Sequence, residues 1–144
     1  MRRRSLASGT VLALSAALMV PLGGTAHAGT CVAAGDVPHL VPNEYGIHAT
    51  GVFTCADPTD GMTINVCVEE RYTNVLGEEN WWSRGCELAV AEAATDTITA
   101  TVTVGVMVYS TYLRTTVTAL NAAGDAGSFT SPPVFWFNCA CYIG

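Results

Sequence analysis

The stretch Thr97-Ile-Thr-Ala-Thr-Val-Thr-Val-Gly-Val106 alternates between threonine and apolar residues over nearly its whole length. Successive side chains of a β-strand point to opposite faces, so a period of two predicts a strand with one buried and one solvated face. The β-branched residues argue against a helix, because a helix restricts their χ1 angles. The apolar face then comprises Ile98, Ala100, Val102, Val104 and Val106.

Two further stretches show the same period and predict half-buried strands. In residues 62–72 one face carries Met62, Ile64, Val66 and Val68, and the other carries Thr63, Asn65, Cys67 and Glu69. In residues 109–121 one face carries Leu113, Thr115, Val117 and Ala119, and the other carries Arg114, Thr116, Thr118 and Leu120.

The segments between these stretches supply the remaining elements. We predict strands over 47–55, 81–86 and 134–139, and an irregular arm or a first edge strand over 29–46. Residues 87–94 are alanine-rich enough for a short helix. The run Asp57-Pro-Thr-Asp-Gly61 predicts a turn, because proline sets φ and glycine accepts a positive φ, and residues 121–127 predict a hairpin loop.

Six or seven short strands separated by turn signals predict an all-β fold. The expected architecture is an antiparallel immunoglobulin-like sandwich of about seven strands, stapled by disulfides. A small closed barrel is the alternative.

The N-terminus has the three parts of an export signal. Arg2, Arg3 and Arg4 precede a short apolar run, and the small-x-small tripeptide Ala26-His27-Ala28 follows it. The run is shorter than the roughly 20 apolar residues that cross a membrane. We therefore predict a signal peptide at 1–28, a single β-sandwich domain at 29–144 and a secreted, extracellular product. The paired arginines leave Sec and twin-arginine export both open.

The charge balance narrows the class of partner. The chain has a net charge of −6, and residues 29–144 keep all twelve acidic residues, three arginines and no lysine. Nucleic acids and anionic membranes bind basic patches, so neither is an expected partner. Solubility accounts for the acidic charge, and a cationic partner is compatible with it.

All six cysteines follow the predicted cleavage site, at Cys31, Cys55, Cys67, Cys86, Cys139 and Cys141. An even number in an exported domain predicts disulfides. Zinc sites use Cys-x-x-Cys or histidine-rich spacings, which do not occur here, so we predict no metal. We expect Cys67 to pair with Cys86, because they flank one strand–loop–strand unit, and leave the other pairings open.

The C-terminal part of the chain resembles a known family. Leu113-Arg-Thr-Thr-Val-Thr-Ala-Leu-Asn-Ala-Ala-Gly-Asp125, followed by Ser131-Pro-Pro-Val134, resembles the last two strands of fibronectin type III domains. That family has a tyrosine where Leu113 stands and normally lacks these cysteines. The resemblance implies a sandwich with a binding or spacer role and no catalytic residues. The alanine-rich leader and the absence of lysine also resemble small secreted proteins of actinobacteria.

The residue patterns predict neither an enzyme nor a cofactor. No serine lies in a Gly-x-Ser-x-Gly context, and oxidised cysteines leave His39 and His48 without a nucleophile. Glycoside hydrolysis needs two carboxylates across a cleft. Adjacent strand residues face opposite ways, so Glu69-Glu70 and Glu78-Glu79 are not working pairs. We interpret both doublets as solvated loop charges.

The aromatic residues are the best candidates for ligand contact. Trp81 and Trp82 are consecutive, so one of them faces outward in a strand, and the same holds for Phe135-Trp136-Phe137. An exposed tryptophan offers a stacking face for sugars, peptides or proteins. The alternative is that one ring fills the core and its neighbour covers a sheet edge. We predict contacts at Trp81, Trp82 and Arg84, with Trp136 second.

These features predict a secreted non-catalytic binding domain whose partner is an extracellular protein or a cell-wall polymer. The alternative is a secreted proteinaceous inhibitor of an extracellular hydrolase. Trp82-Ser83-Arg84 loosely resembles the Trp-Arg-Tyr loop of β-type amylase inhibitors, although no tyrosine follows it. A rigid exposed loop would favour inhibition, and a flat aromatic face would favour binding to a wall polymer.

Overall fold

A computed structural model describes residues 25–28 and 30–137. Within these residues the chain forms ten β-strands and no helix. In chain order they are β1 (Thr25–Ala28), β2 (Cys31–Gly35), β3 (His39–Leu40), β4 (Ile47–Thr59), β5 (Thr63–Thr73), β6 (Glu79–Val90), β7 (Thr95–Val104), β8 (Thr111–Leu120), β9 (Ala126–Thr130) and β10 (Val134–Trp136). Apart from β1, the predicted signal peptide lies outside the described residues.

The strands pair into two antiparallel sheets. In the first sheet β4 lies between β7 on one side and β2 and β3 on the other. The second sheet has the order β6, β5, β8, β9, with β10 also pairing with β8. Strand β1 pairs with β2 and with β9, so it bridges the two sheets. The predicted all-β antiparallel fold is confirmed, and the N-terminal arm supplies short strands beyond the expected seven.

The faces predicted from the alternating stretches are the faces that the fold buries. In β7, Ile98, Ala100, Val102 and Val104 are buried, whereas Thr97, Thr99, Thr101 and Thr103 are exposed. The predicted inner faces of β5 and β8 are buried in the same way. Each fully buried aliphatic side chain stabilises the fold by roughly 1.5–3 kcal/mol relative to an exposed one.

Two disulfides join directly opposed residues of neighbouring strands. Cys67 pairs with Cys86 across β5 and β6, which confirms the predicted bridge. Cys31 pairs with Cys55 across β2 and β4, which settles one pairing that the sequence left open. Cys139 and Cys141 lie outside the described residues.

Strand boundaries differ from the prediction where pairing partners extend a strand. Strand β4 continues past Cys55 to Thr59, and the turn is confined to the residues around Gly61, which has φ of 64°. Strand β6 continues to Val90, because residues 87–90 pair with the start of β5. These ladder hydrogen bonds override the helix propensity of residues 87–90, and residues 91–94 form no helix either.

A glycine in the middle of β4 lies close against the opposite sheet. A Cβ on Gly51 would lie 2.6 Å from Cγ2 of Val66 and 2.7 Å from Cγ2 of Val117. Both valines belong to the opposite sheet and are fully buried. No side chain larger than hydrogen fits there unless the sheets move apart.

We therefore predict that Gly51→Ala lowers the free energy of unfolding by about 1–3 kcal/mol through overpacking. The matched control is Gly105→Ala, since nothing lies within 4 Å of the added Cβ; it should change stability by less than about 0.5 kcal/mol. Urea unfolding of the three proteins measures the difference. Equal stability of the Gly51 variant and the wild type would contradict the close approach.

Candidate functional site

A β-bulge in β6 sets the direction of the side chains around the tryptophan pair. Val68 of β5 pairs with Gly85, but the next residue, Glu69, pairs with Ser83. Arg84 is therefore the additional residue on the bulged strand. Bulges of this kind redirect side chains and often lie near binding sites.

The bulge decides which tryptophan faces inward. Beyond it Trp82 lies opposite Glu70, and Trp81 lies opposite Arg71. Shifting a strand by one residue moves its side chains to the other face, so an unbulged pairing would exchange the two rings. With the bulge, Trp82 shares the inner face of the sheet with the buried Glu70, and Trp81 shares the outer face with Arg71.

An open cavity of about 440 Å³ lies beside Trp82, and its lining includes Glu70, Tyr72 and Tyr109. We call these four residues the aromatic cradle. The three rings are 44–47% exposed, at 47% for Trp82, 45% for Tyr109 and 44% for Tyr72, whereas Glu70 is only 4% exposed. Tyr72 and Trp82 contact each other edge to face, with centroids 6.5 Å apart. The cradle thus consists of three half-exposed rings around one buried carboxylate.

The Glu70 carboxylate is held by a phenol and approached by a guanidinium. The Tyr109 hydroxyl donates to Oε2 of Glu70 at 3.1 Å. The nearest guanidinium nitrogen of Arg84 lies 3.5 Å from the same oxygen, and the group sits 5.1 Å from the centroid of the Trp82 ring. Charge-assisted hydrogen bonds measure about 2.7–2.9 Å, so Arg84 neutralises Glu70 through space rather than by a short bond.

The carboxylate also affects the titration of its phenol partner. Partial burial raises the pKa of Tyr109 above its ordinary value, and both the hydrogen bond to Glu70 and the negative charge of Glu70 raise it further. Arg84 acts in the opposite direction. Tyr109 therefore remains a protonated donor at neutral pH.

The outer face of the same sheet carries Trp81, which lies outside the cradle. The guanidinium of Arg114 stacks on the Trp81 ring at 4.2 Å, and its Nε donates to Glu69 at 2.7 Å. Arg71 stacks on Tyr112 at 3.9 Å and pairs with a carboxylate of β6 at 3.3 Å. Each of the three arginines in the described residues thus contacts both an aromatic ring and a carboxylate.

Trp136 packs against the hydrophobic core. Its ring is half-buried against the core, and its indole N–H donates to the carbonyl oxygen of Met107 at 3.4 Å. Of the four predicted contact residues, the structure brings together Trp82 and Arg84. It places Trp81 on the opposite face of the sheet and Trp136 on β10.

The sequence prediction missed three members of the cradle. Interpreting Glu69 and Glu70 as solvated loop charges is wrong, since both lie in β5 and Glu70 is buried. The alternation of residues 62–72 indicates that Glu70 points inward, because it places Glu70 on the same face as Met62. Tyr72 shares that parity. Tyr109 is the first residue of the alternating stretch predicted at 109–121, but β8 begins only at Thr111, so the path of the connection between β7 and β8 sets the direction of Tyr109.

The described residues also bear on two other kinds of site. Among those residues, no group of three or more histidine, cysteine, aspartate or glutamate side chains is arranged to hold a metal ion. In the same part of the chain no helix has the length and apolar character needed to cross a membrane.

Comparisons with known proteins give no family for this chain. No protein-family model matches it, and no curated protein matches it. The X-ray structure of Northeast Structural Genomics Consortium target SoR45 aligns with 76% of this chain and 88% of its own, at 8% identity and a TM-score of 0.26. At that level of similarity the match says nothing about function.

We predict that Tyr109 is a late-ionising tyrosine in an alkaline titration followed by tyrosinate absorbance. The fold favours its neutral form, so its contribution to stability is complete below the ordinary pKa of about 10. That contribution is lost as the pH rises through the raised value. Tyr109→Phe should remove this late phase, whereas Tyr45→Phe, at an 82% exposed position, should leave it. A late phase that survives in the Tyr109 variant would contradict the assignment.

Proposed function

We propose that this chain is the precursor of a secreted, non-catalytic binding domain whose ligand site is the aromatic cradle. The supporting observation is the arrangement of half-exposed Trp82, Tyr72 and Tyr109 around the buried Glu70. Ligand sites typically combine apolar and aromatic walls with a few placed polar groups in cavities of roughly 300–1,000 Å³. The cradle has this composition and this size.

Export is supported by the leader and by the cross-strand disulfides, because such bridges persist mainly in oxidising compartments. We further propose that the sandwich is immunoglobulin-like, with a C-terminal part of fibronectin type III character. The alternating segment behind that resemblance forms β8, whose Leu113, Thr115 and Val117 are fully buried. The proposed partner is an extracellular protein or a cell-wall polymer.

The inhibitor hypothesis has less support. Trp82-Ser83-Arg84 lies within strand β6, at a bulge, and not in a protruding loop. The binding experiment can detect inhibition of a hydrolase as one of its outcomes.

We predict that Trp82→Ala abolishes partner capture while Trp81→Ala preserves it. The exported, oxidised protein and both variants would be used as bait against culture medium and cell-wall extract. Loss of the Trp82 ring should weaken capture about tenfold or more, as for a central aromatic contact. Trp81 is the matched control, because its ring lies on the opposite face against Arg114.

Capture that survives Trp82→Ala but fails with Trp81→Ala would move the site to the outer face of the sheet. Recovery of a hydrolase whose activity falls on binding would favour the inhibitor. Recovery of a wall polymer or a surface protein would favour the binding domain.

We also predict that the exported protein begins at Gly29, which N-terminal sequencing of the secreted product tests. Cleavage after Ala28 removes β1 and leaves the strand edges of β2 and β9 that pair with it unoccupied. A product that begins at or before Thr25 would keep β1 and refute the predicted cleavage position. Retention of the full chain inside the cell would refute export.

A further inference from the structure

We infer that the aromatic cradle binds an organic cation, specifically an alkylammonium group, between its three rings and the Glu70 carboxylate. The inference rests on the proposed binding function and names the class of ligand for the same site.

The buried carboxylate favours a positively charged ligand. An ionised carboxylate accepts hydrogen bonds at about four positions and donates none, and burial makes an unpaired anion costly. Tyr109 supplies a neutral hydrogen bond, and Arg84 stops at 3.5 Å. On the other face of the sheet, by contrast, Arg114 reaches Glu69 at 2.7 Å. Glu70 therefore keeps capacity for a closer cation.

The rings favour the same ligand. Cations bind over aromatic faces within about 6 Å of the centroid, and tryptophan is the strongest partner. The protein's own Arg84 guanidinium shows this mode, 5.1 Å from the Trp82 centroid and beside Glu70. Rings of Tyr72 and Tyr109 line the same cavity and can face a compact ammonium from other sides.

Arg84 is positioned to give way to the ligand. It is the additional residue of the bulge, and its side chain is 29% exposed. Turning the guanidinium toward solvent would vacate the space beside Glu70 without moving the β5–β6 ladder. An entering ammonium group then takes over the pairing that Arg84 provides in the unliganded protein.

Other ligand classes fit the cradle less well. An anion would be repelled by Glu70. A neutral sugar could stack on the rings, but it carries no positive charge to balance the buried Glu70 carboxylate once Arg84 turns away. The electrostatic field around the protein also favours a cation. All three arginines of the described residues are paired with carboxylates, and the remaining carboxylates attract cations.

The test is a titration of the oxidised protein followed by the indole N–H resonances in ¹H–¹⁵N NMR. The probes are choline, its neutral isostere 3,3-dimethylbutanol, and a Gly-Gly-Lys-Gly-Gly peptide with blocked ends. We expect choline to shift the Trp82 indole signal and the isostere to bind about tenfold more weakly or not at all. Tighter binding of the peptide than of choline would identify a polypeptide lysine as the source of the ammonium, and the reverse order would identify a free quaternary ammonium compound.

Variants separate the contributing groups. Glu70→Gln and Trp82→Leu should each weaken choline binding about tenfold, and Arg84→Gln should strengthen it severalfold by removing the internal competitor. Trp81→Ala is the matched control and should bind choline like the wild type. Unfolding midpoints establish that each variant is folded, and Trp82→Leu serves if Glu70→Gln is not.

Three results would overturn the inference: equal binding of choline and its isostere, unchanged choline binding in folded Glu70→Gln, or no shift with either cation at millimolar concentration. The partner-capture experiment tests the proposed function independently of the cation titration. If Trp82→Ala still abolishes partner capture while the cation results are negative, the cradle is a binding site for a different class of ligand.

Discussion

The register between β5 and β6 determines on which face of the sheet each of the two tryptophans lies. The Cys67–Cys86 disulfide joins directly opposed residues and fixes the pairing at one point. Between that bridge and the tryptophans the bulge inserts Arg84, which shifts the remaining pairing by one residue. Because side chains alternate along a strand, this single insertion places Trp82 against Glu70 and sends Trp81 to the opposite face. The position of Trp82 in the cradle and the contact of Trp81 with Arg114 on the outer face are thus two results of one local constraint.

The cradle combines a rigid wall with one supplied by a loop. Glu70, Tyr72 and Trp82 stand on paired strands anchored by the disulfide, whereas Tyr109 lies between β7 and β8. A buried carboxylate contributes little net stability even when it is paired, because desolvation offsets the attraction. Hydrophobic residues would fill the same position at no such cost. The position of Glu70 is therefore easier to explain by what it can bind than by what it adds to the core.

Most of the fold could be predicted from the sequence, whereas the cradle could be predicted only in part. The alternating residues of β5, β7 and β8 report burial directly, since the period of two is itself the consequence of one buried face. Cys67 and Cys86 could be paired because their strands are consecutive. Cys31 and Cys55 could not, because nothing local shows that β2 lies beside β4. The tryptophan directions depended on a bulge, which leaves no mark in the hydrophobic pattern, and Tyr109 depended on the path of a loop.

The arginines have a consequence for resistance to proteolysis. The chain contains no lysine, so beyond residues 2–4 a trypsin-like protease finds only Arg71, Arg84 and Arg114. Each lies within a strand, and each guanidinium is engaged by a ring and a carboxylate. A protease must draw an extended, unpaired segment into its cleft, so cleavage at these sites requires local opening of the sheet. The contacts of the three arginines with rings and carboxylates therefore also protect the protein's few basic cleavage sites from proteolysis.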